Sequence, residues 1–201
     1  MKKTVCFALL ACLLLTLFAC SGGYTDFSDD IYGVTMQYPE DYTLSTEDED
    51  LIASFTSPDE KTVLSLFAEN HMIYSIDLTL DEYMAASEAS LTFIKDYRLL
   101  ERKDVTLGGL NGKYIRYSGY LDDDESKTVY VWTQFITIKE GYAYVLTHSA
   151  EETSFDGGKV FDAVMQTLAI ADNPRYQDEL AFYEAYHEEL EKAAQTEGDN
   201  P

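Results

Sequence analysis

Thr128-Val129-Tyr130-Val131-Trp132-Thr133-Gln134-Phe135-Ile136-Thr137-Ile138-Lys139, then Glu140-Gly141, then Tyr142-Ala143-Tyr144-Val145-Leu146-Thr147-His148-Ser149, is the segment from which the architecture can be built outward. β-Branched and aromatic residues fill both runs, which therefore read as strands. The connection Lys139-Glu140-Gly141 is short and ends in glycine, as a hairpin closed by a G1 bulge requires. In the first run Tyr130, Trp132, Gln134, Ile136 and Ile138 alternate with Val129, Val131, Thr133, Phe135 and Thr137. Both faces are largely apolar, so this is a central strand covered on both sides, with Trp132 expected in the core.

Upstream, Tyr32 to Pro39 alternates and ends at a proline, and Tyr42 to Leu44 is expected to pair with the next strand. Leu51 to Thr56 and Thr62 to Ala68 read as strands joined by the turn Ser57-Pro58-Asp59-Glu60. Thr79-Leu80-Asp81-Glu82 is a capping box, and it opens a helix expected to reach Tyr97 with Leu80, Tyr83, Met84, Leu91 and Ile94 on one face. Strands are expected at Leu99 to Leu107 and Gly112 to Leu121. Downstream, Asp156-Gly157-Gly158 precedes a helix with Val160, Phe161, Val164, Met165 and Leu168 along one stripe. Antiparallel strands with helices between them predict an α+β fold, a three-layer α/β/α sandwich around a mainly antiparallel sheet. A further helix is marked by Asn173-Pro174 and runs to about Ala194, with Leu180, Tyr183, His187, Leu190 and Ala194 as a narrow apolar stripe among acidic residues.

The N-terminus is a different kind of segment. Met1-Lys2-Lys3 precedes an apolar run from Thr4 to Phe18, followed by Ala19-Cys20, which is a secretory leader rather than a fold element. Leu17-Phe18-Ala19-Cys20 resembles the lipobox of bacterial lipoproteins, although Phe18 stands where a small or β-branched residue is commoner. The resemblance implies cleavage before Cys20, diacylation of its thiol with long-chain, palmitate-type groups, and anchoring at the extracytoplasmic face of the cell membrane. A cleaved but unlipidated leader and an uncleaved anchor are the alternatives; a transmembrane helix would need about 20 apolar residues. The domain plan is then a leader over 1–19, a flexible tether over 20–30, a folded domain over 31–172 and an acidic C-terminal helix and tail over 173–201.

Cys6 and Cys12 lie in the leader and Cys20 carries lipid, so the expected mature protein has no disulfide and no thiol nucleophile. Lys2 and Lys3 also leave, which gives 12 basic against 37 acidic residues and a formal charge of −25. Nucleic acid is excluded as a partner, because binding it needs Lys and Arg to release counterions. Anionic headgroups are repelled too, so the membrane is engaged through the lipid on Cys20.

Candidate chemistry is sparse. His71, His148 and His187 lack the spacing of a metal site. Ser149 beside His148 on a strand points to the opposite face, so the pair cannot form the hydrogen bond that activates a nucleophile. Asp122, Asp123, Asp124 and Glu125 are the densest carboxylate run and the weak candidate for Ca²⁺, but the alternation, glycine and distal glutamate of an EF-hand loop are missing. The simpler reading is a solvated turn that also blunts a sheet edge, and Glu47 to Asp50 reads the same way. No cofactor is implied.

Taken in order, Gly33 to Pro39, Phe55-Thr56-Ser57-Pro58, Leu80-Asp81-Glu82-Tyr83, Leu107 to Tyr114, Gly141 to Ala150 and Phe161 to Leu168 resemble the PsbP and DcrB-like domains over roughly Ile31 to Ala171. The resemblance implies the same sandwich, and exported, often lipid-anchored proteins without established enzymatic activity. A photosystem role is not carried over, because the plant member's recognition segment has no counterpart between Cys20 and Ile31. The expected function is therefore non-catalytic binding at the membrane, with the C-terminal helix as a candidate partner-binding arm. The alternative is a weakly Ca²⁺-responsive accessory protein of a membrane complex, and a hydrolase is a distant third.

Overall fold

The structure, a computed structural model, describes residues 23–198. Cys20 and the leader lie outside the described residues. The expected central hairpin is present as β8 (Tyr130–Lys139) and β9 (Tyr142–Glu151), paired from Tyr130 opposite Glu151 to Lys139 opposite Tyr142. Its turn is tighter than the expected bulge. Glu140 and Gly141, with φ of 48° and 80°, form a two-residue connection whose positive dihedrals match the twist of the flanking strands.

Around this hairpin a seven-stranded sheet runs in the order β3 (Thr43–Ser45), β4 (Ala53–Thr56), β5 (Thr62–Asn70), β9, β8, β7 (Leu110–Leu121), β6 (Ile94–Leu107). Each of these pairings is antiparallel. A separate three-stranded sheet is formed by β1 (Tyr24–Asp29), β2 (Val34–Pro39) and β10 (Ala169–Ile170). The helices are α1 (Leu80–Ser90), α2 (Lys159–Thr167) and α3 (Tyr176–Gly198).

The period-2 alternation sorts the large sheet into two faces. Phe55, Leu64, Leu66, Tyr114, Phe135, Tyr144 and Leu146 point to one side, where Phe161, Val164, Met165 and Leu168 of the α2 segment and Val34, Met36 and Ile170 of the small sheet complete one core. On the other side Ile115, Tyr117, Ile136 and Val145 form a second, smaller core with Met84 of α1. The architecture is thus the expected α+β sandwich, with α2 and the small sheet sharing a layer. The capping box is made: Glu82 N donates to Thr79 Oγ1 at 3.2 Å and Thr79 N to Glu82 Oε2 at 2.9 Å.

Four further expectations are corrected. Tyr24–Asp29 is an edge strand rather than tether, with Phe27 buried and packed edge-on against Phe55 at 5.4 Å. Only that one residue of the segment is buried, so its sequence looks like linker. Helix α1 stops at Ser90 instead of reaching Tyr97; Leu91–Phe93 is a 3-10 turn, and Ile94 already belongs to β6. Leu91 and Ile94 keep helical spacing across that turn because both still face the small core. The C-terminal helix starts at Tyr176, two residues beyond Pro174, while Asn173 Oδ1 accepts from Arg175 N at 2.9 Å. Trp132, expected in the core, is only half-buried, because α1 covers part of its sheet face and leaves the rest open.

Candidate functional site

The open part of that face is the candidate site. Strand register places Tyr117, Trp132, Ser149, Val63 and Thr56 in one row across β7, β8, β9, β5 and β4. The adjacent row holds Gln134, Thr147, Ser65, Ser54 and Ser45. Every residue of the two rows is half-exposed except Tyr117, which is 2% exposed. Neighbouring rows lie about 6.6 Å apart and neighbouring strands about 4.8 Å apart, so the surface is a regular array of short hydroxyl side chains.

Aromatic rings wall this array on one side. Tyr97 stacks on Tyr117 with centroids 5.4 Å apart, Tyr117 on Trp132 at 5.5 Å and 23° between planes, and Tyr130 leans on Trp132 at 5.6 Å. Burial, and after it the neighbouring Tyr97, raises the Tyr117 hydroxyl above its usual range, so it stays a neutral donor. Gln134 Nε2 donates to Thr147 Oγ1 at 3.1 Å, which fixes the amide and leaves its oxygen as an acceptor. Trp132, Tyr117, Tyr130, Gln134, Thr147 and Ser149 line a cavity of about 280 Å³ whose remaining walls are Leu91, Phe93, Ile94 and Leu121. Among the described residues, none of those lining it is charged.

A second cavity, of about 410 Å³, lies where Tyr142 and Tyr144 meet the β1–β2 turn and the lead into α3, and it carries Asp30, Asp172 and Arg175. Tyr144 donates its hydroxyl to Tyr32 O at 3.2 Å, and burial pushes that hydroxyl up to about 12. Lys139 Nζ is held by Ile170 O at 2.7 Å and Asp172 Oδ1 at 2.8 Å. These contacts tie the chain together below α3.

The titratable residues singled out from the sequence are kept apart. His148 is buried on the α2 side, its ring 6.4 Å from Phe155 and 6.3 Å from Phe161, with Nδ1 unpartnered. Ser149 faces the opposite side of the sheet, in the open array. His71 Nδ1 lies 3.1 Å from Ser75 O, and His187 Nε2 2.8 Å from Met72 O, which makes both nitrogens donors to carbonyls. In the acidic turn, Asp124 accepts from Ser126 N at 2.9 Å, Ser126 Oγ at 2.5 Å and Thr128 N at 2.9 Å, while Asp122 pairs with Lys95 at 3.1 Å. Those carboxylates cap and pair rather than converge; among the described residues no three His, Cys, Asp or Glu side chains come together as metal ligands. Cys20, the expected lipidation residue, lies outside the described residues. The residues missed as a site are Tyr97, Tyr117, Gln134 and Thr147, together with Trp132 in an exposed role. Their alternation was legible, but the uncovered half of the face was not.

No protein-family profile and no curated protein sequence matches the chain. Solved structures do. The solution structure of cyanobacterial PsbP from Synechocystis sp. PCC 6803 superposes with a TM-score of 0.54 at 15% identity, covering 75% of this chain and 94% of that one. LpqN of Mycobacterium tuberculosis, involved in cell envelope biogenesis, gives 0.55 at 11% identity over 74% of this chain and 91% of its own. The Ran-binding protein Mog1p of Saccharomyces cerevisiae gives 0.54 at 10% identity, with 76% and 97% covered. The fold is the PsbP-like α/β sandwich, and at these identities the likeness is one of fold.

Proposed function

We propose that this chain is an extracytoplasmic protein, anchored to the cell membrane through lipid on Cys20, that acts by binding and not by catalysis. The observation that carries the binding reading is the uncharged cavity of aromatic, amide and hydroxyl groups on a protein of net charge −23. Such a surface holds donors, acceptors and apolar ring faces, but it contains no nucleophile with a base beside it. The location rests on the lipobox-like Leu17-Phe18-Ala19-Cys20 and agrees in kind with the envelope role named for LpqN. The acidic turn at Asp122–Glu125 adds nothing to this reading, since Asp124 and Asp122 are already engaged locally.

Two measurements test it. Cys20→Ser should move the protein from the membrane fraction to the soluble exported fraction; detergent-dependent membrane retention of that variant would overturn the anchor. Amide chemical shifts of the protein, followed as solubilised envelope material is added, should change around Trp132, Gln134 and Thr147. No change anywhere, or change confined to another surface, would overturn the binding site.

A further inference from the structure

We infer that the open sheet face binds a neutral glycan, one sugar ring stacking on Trp132 in the slot above Ser149. The inference rests on the binding reading above and names its ligand class. One face of the Trp132 ring is taken by Tyr117, and Tyr130, its neighbour along the strand, leans on the ring at 5.6 Å and 37°. Across the other face the next residue in the row is Ser149, which is short, and only beyond it comes Val63. Two strand spacings, about 9.6 Å, therefore separate the Trp132 and Val63 positions. That gap admits one flat ring in van der Waals contact with the indole.

A pyranose has what this slot asks for: an apolar C–H face to lie on an aromatic ring and a rim of hydroxyls to meet polar groups. The rim is met by the Ser149 and Thr147 hydroxyls and the Gln134 amide, which lie in the same cavity. A cavity of about 280 Å³ lies just below the roughly 300–1,000 Å³ of small-molecule sites, which suits one ring. The rest of a chain would lie along the Ser and Thr array, which continues over β5 and β4.

Charge selects the neutral class. The net negative charge draws a cation to the protein, but no carboxylate in the lining holds it at this cavity, and an anionic polymer meets the repulsion of 37 acidic against 14 basic residues. The neutral ligand loses nothing to either effect. The sugar could come from a free oligosaccharide or from the glycan strand of an envelope polymer, and these share the recognised chemistry.

Trp132 is the sole tryptophan of the chain, so its emission reports on the site directly. Detergent-solubilised full-length protein is titrated with the neutral tetramers of N-acetylglucosamine and of β-1,4-linked glucose, with polygalacturonate as the anionic comparison, and is co-sedimented with insoluble chitin and cellulose as the neutral polymers. Saturable change in Trp132 emission with at least one neutral tetramer, and none with polygalacturonate, is the expected result. Sedimentation with either neutral polymer in addition assigns a polymeric glycan strand as the source; tetramer binding alone assigns a free oligosaccharide. By calorimetry, Ser149→Leu, which fills the slot, and Trp132→Ala, which removes the stacking face, should each weaken binding about tenfold or more. Normal circular dichroism must accompany each loss. Absence of binding to both tetramers and to both neutral polymers overturns the proposal, as does unchanged affinity in a folded Ser149→Leu. If envelope material moves the Trp132 and Thr147 shifts while no glycan binds, the glycan class is overturned and the binding reading stands.

Discussion

His148 shows how one buried side chain couples stability to pH. Desolvation, reinforced by Arg116 and opposed by Asp156, lowers its pKa from 6.5 to about 4. In the unfolded chain the imidazole takes up a proton near pH 6.5, whereas the folded protein resists until about 4. The unfolded state therefore binds more protons between those values, and stability falls as pH drops through that window. The loss is on the order of 3 kcal/mol, complete near pH 4. Urea unfolding of the wild type and of His148→Leu between pH 7 and 4 should show this slope only in the wild type; equal slopes would remove His148 as its source. Trp132 is the contrasting case. Because it is half-buried and stacked on Tyr117, Trp132→Ala should cost roughly 1–2 kcal/mol rather than the roughly 3–5 kcal/mol of a fully enclosed ring. A urea midpoint shift matching the larger figure would mean that the face is covered in solution.

Helix α3 is docked by one side and open on the other. Tyr176, Glu179, Leu180, Tyr183 and His187 are half-buried, and His187 Nε2 reaches Met72 O at 2.8 Å while Asn70 Nδ2 donates to the Tyr183 hydroxyl at 3.4 Å. At its entry Asn173 N donates to Glu140 Oε2 at 2.5 Å. Phe182, Tyr186 and Leu190 are exposed, at 64%, 41% and 48%. No described residue of the helix is fully buried, so its removal exposes little core. Ending the chain after Asp172 should lower the melting temperature by about 2–8 °C, in line with about one to two kcal/mol for a domain of this size. A loss several times larger would make α3 integral to the sandwich, and no loss would make its docking contacts incidental.

At the scale of the molecule, charge and layering set the behaviour. A net charge of −23 repels itself in the compact state, and added salt screens that repulsion. Raising sodium chloride to about 0.5 M, where the Debye length is roughly 4 Å, should raise the melting temperature by a few degrees. A decrease would show that ion pairs such as Lys113 with Asp81 and Asp104 outweigh the repulsion. Much of the layering was legible in the chain. Alternation in Thr128 to Ser149, the capping box at Thr79 and the stripe from Val160 to Leu168 each carry a local period that only one element satisfies, and so the α+β class follows from sequence alone. The strand at Tyr24–Asp29 was not legible, because an edge strand with one buried side chain has no pattern to read. Nor was the site. The chain shows that both faces of β8 are apolar, but an 11-residue helix is only about 16 Å long, and it lies against a sheet seven strands wide. Which part of the face it covers depends on where its loops let it dock, and that choice, made by tertiary packing between residues far apart in sequence, leaves Trp132, Gln134 and Thr147 facing solvent.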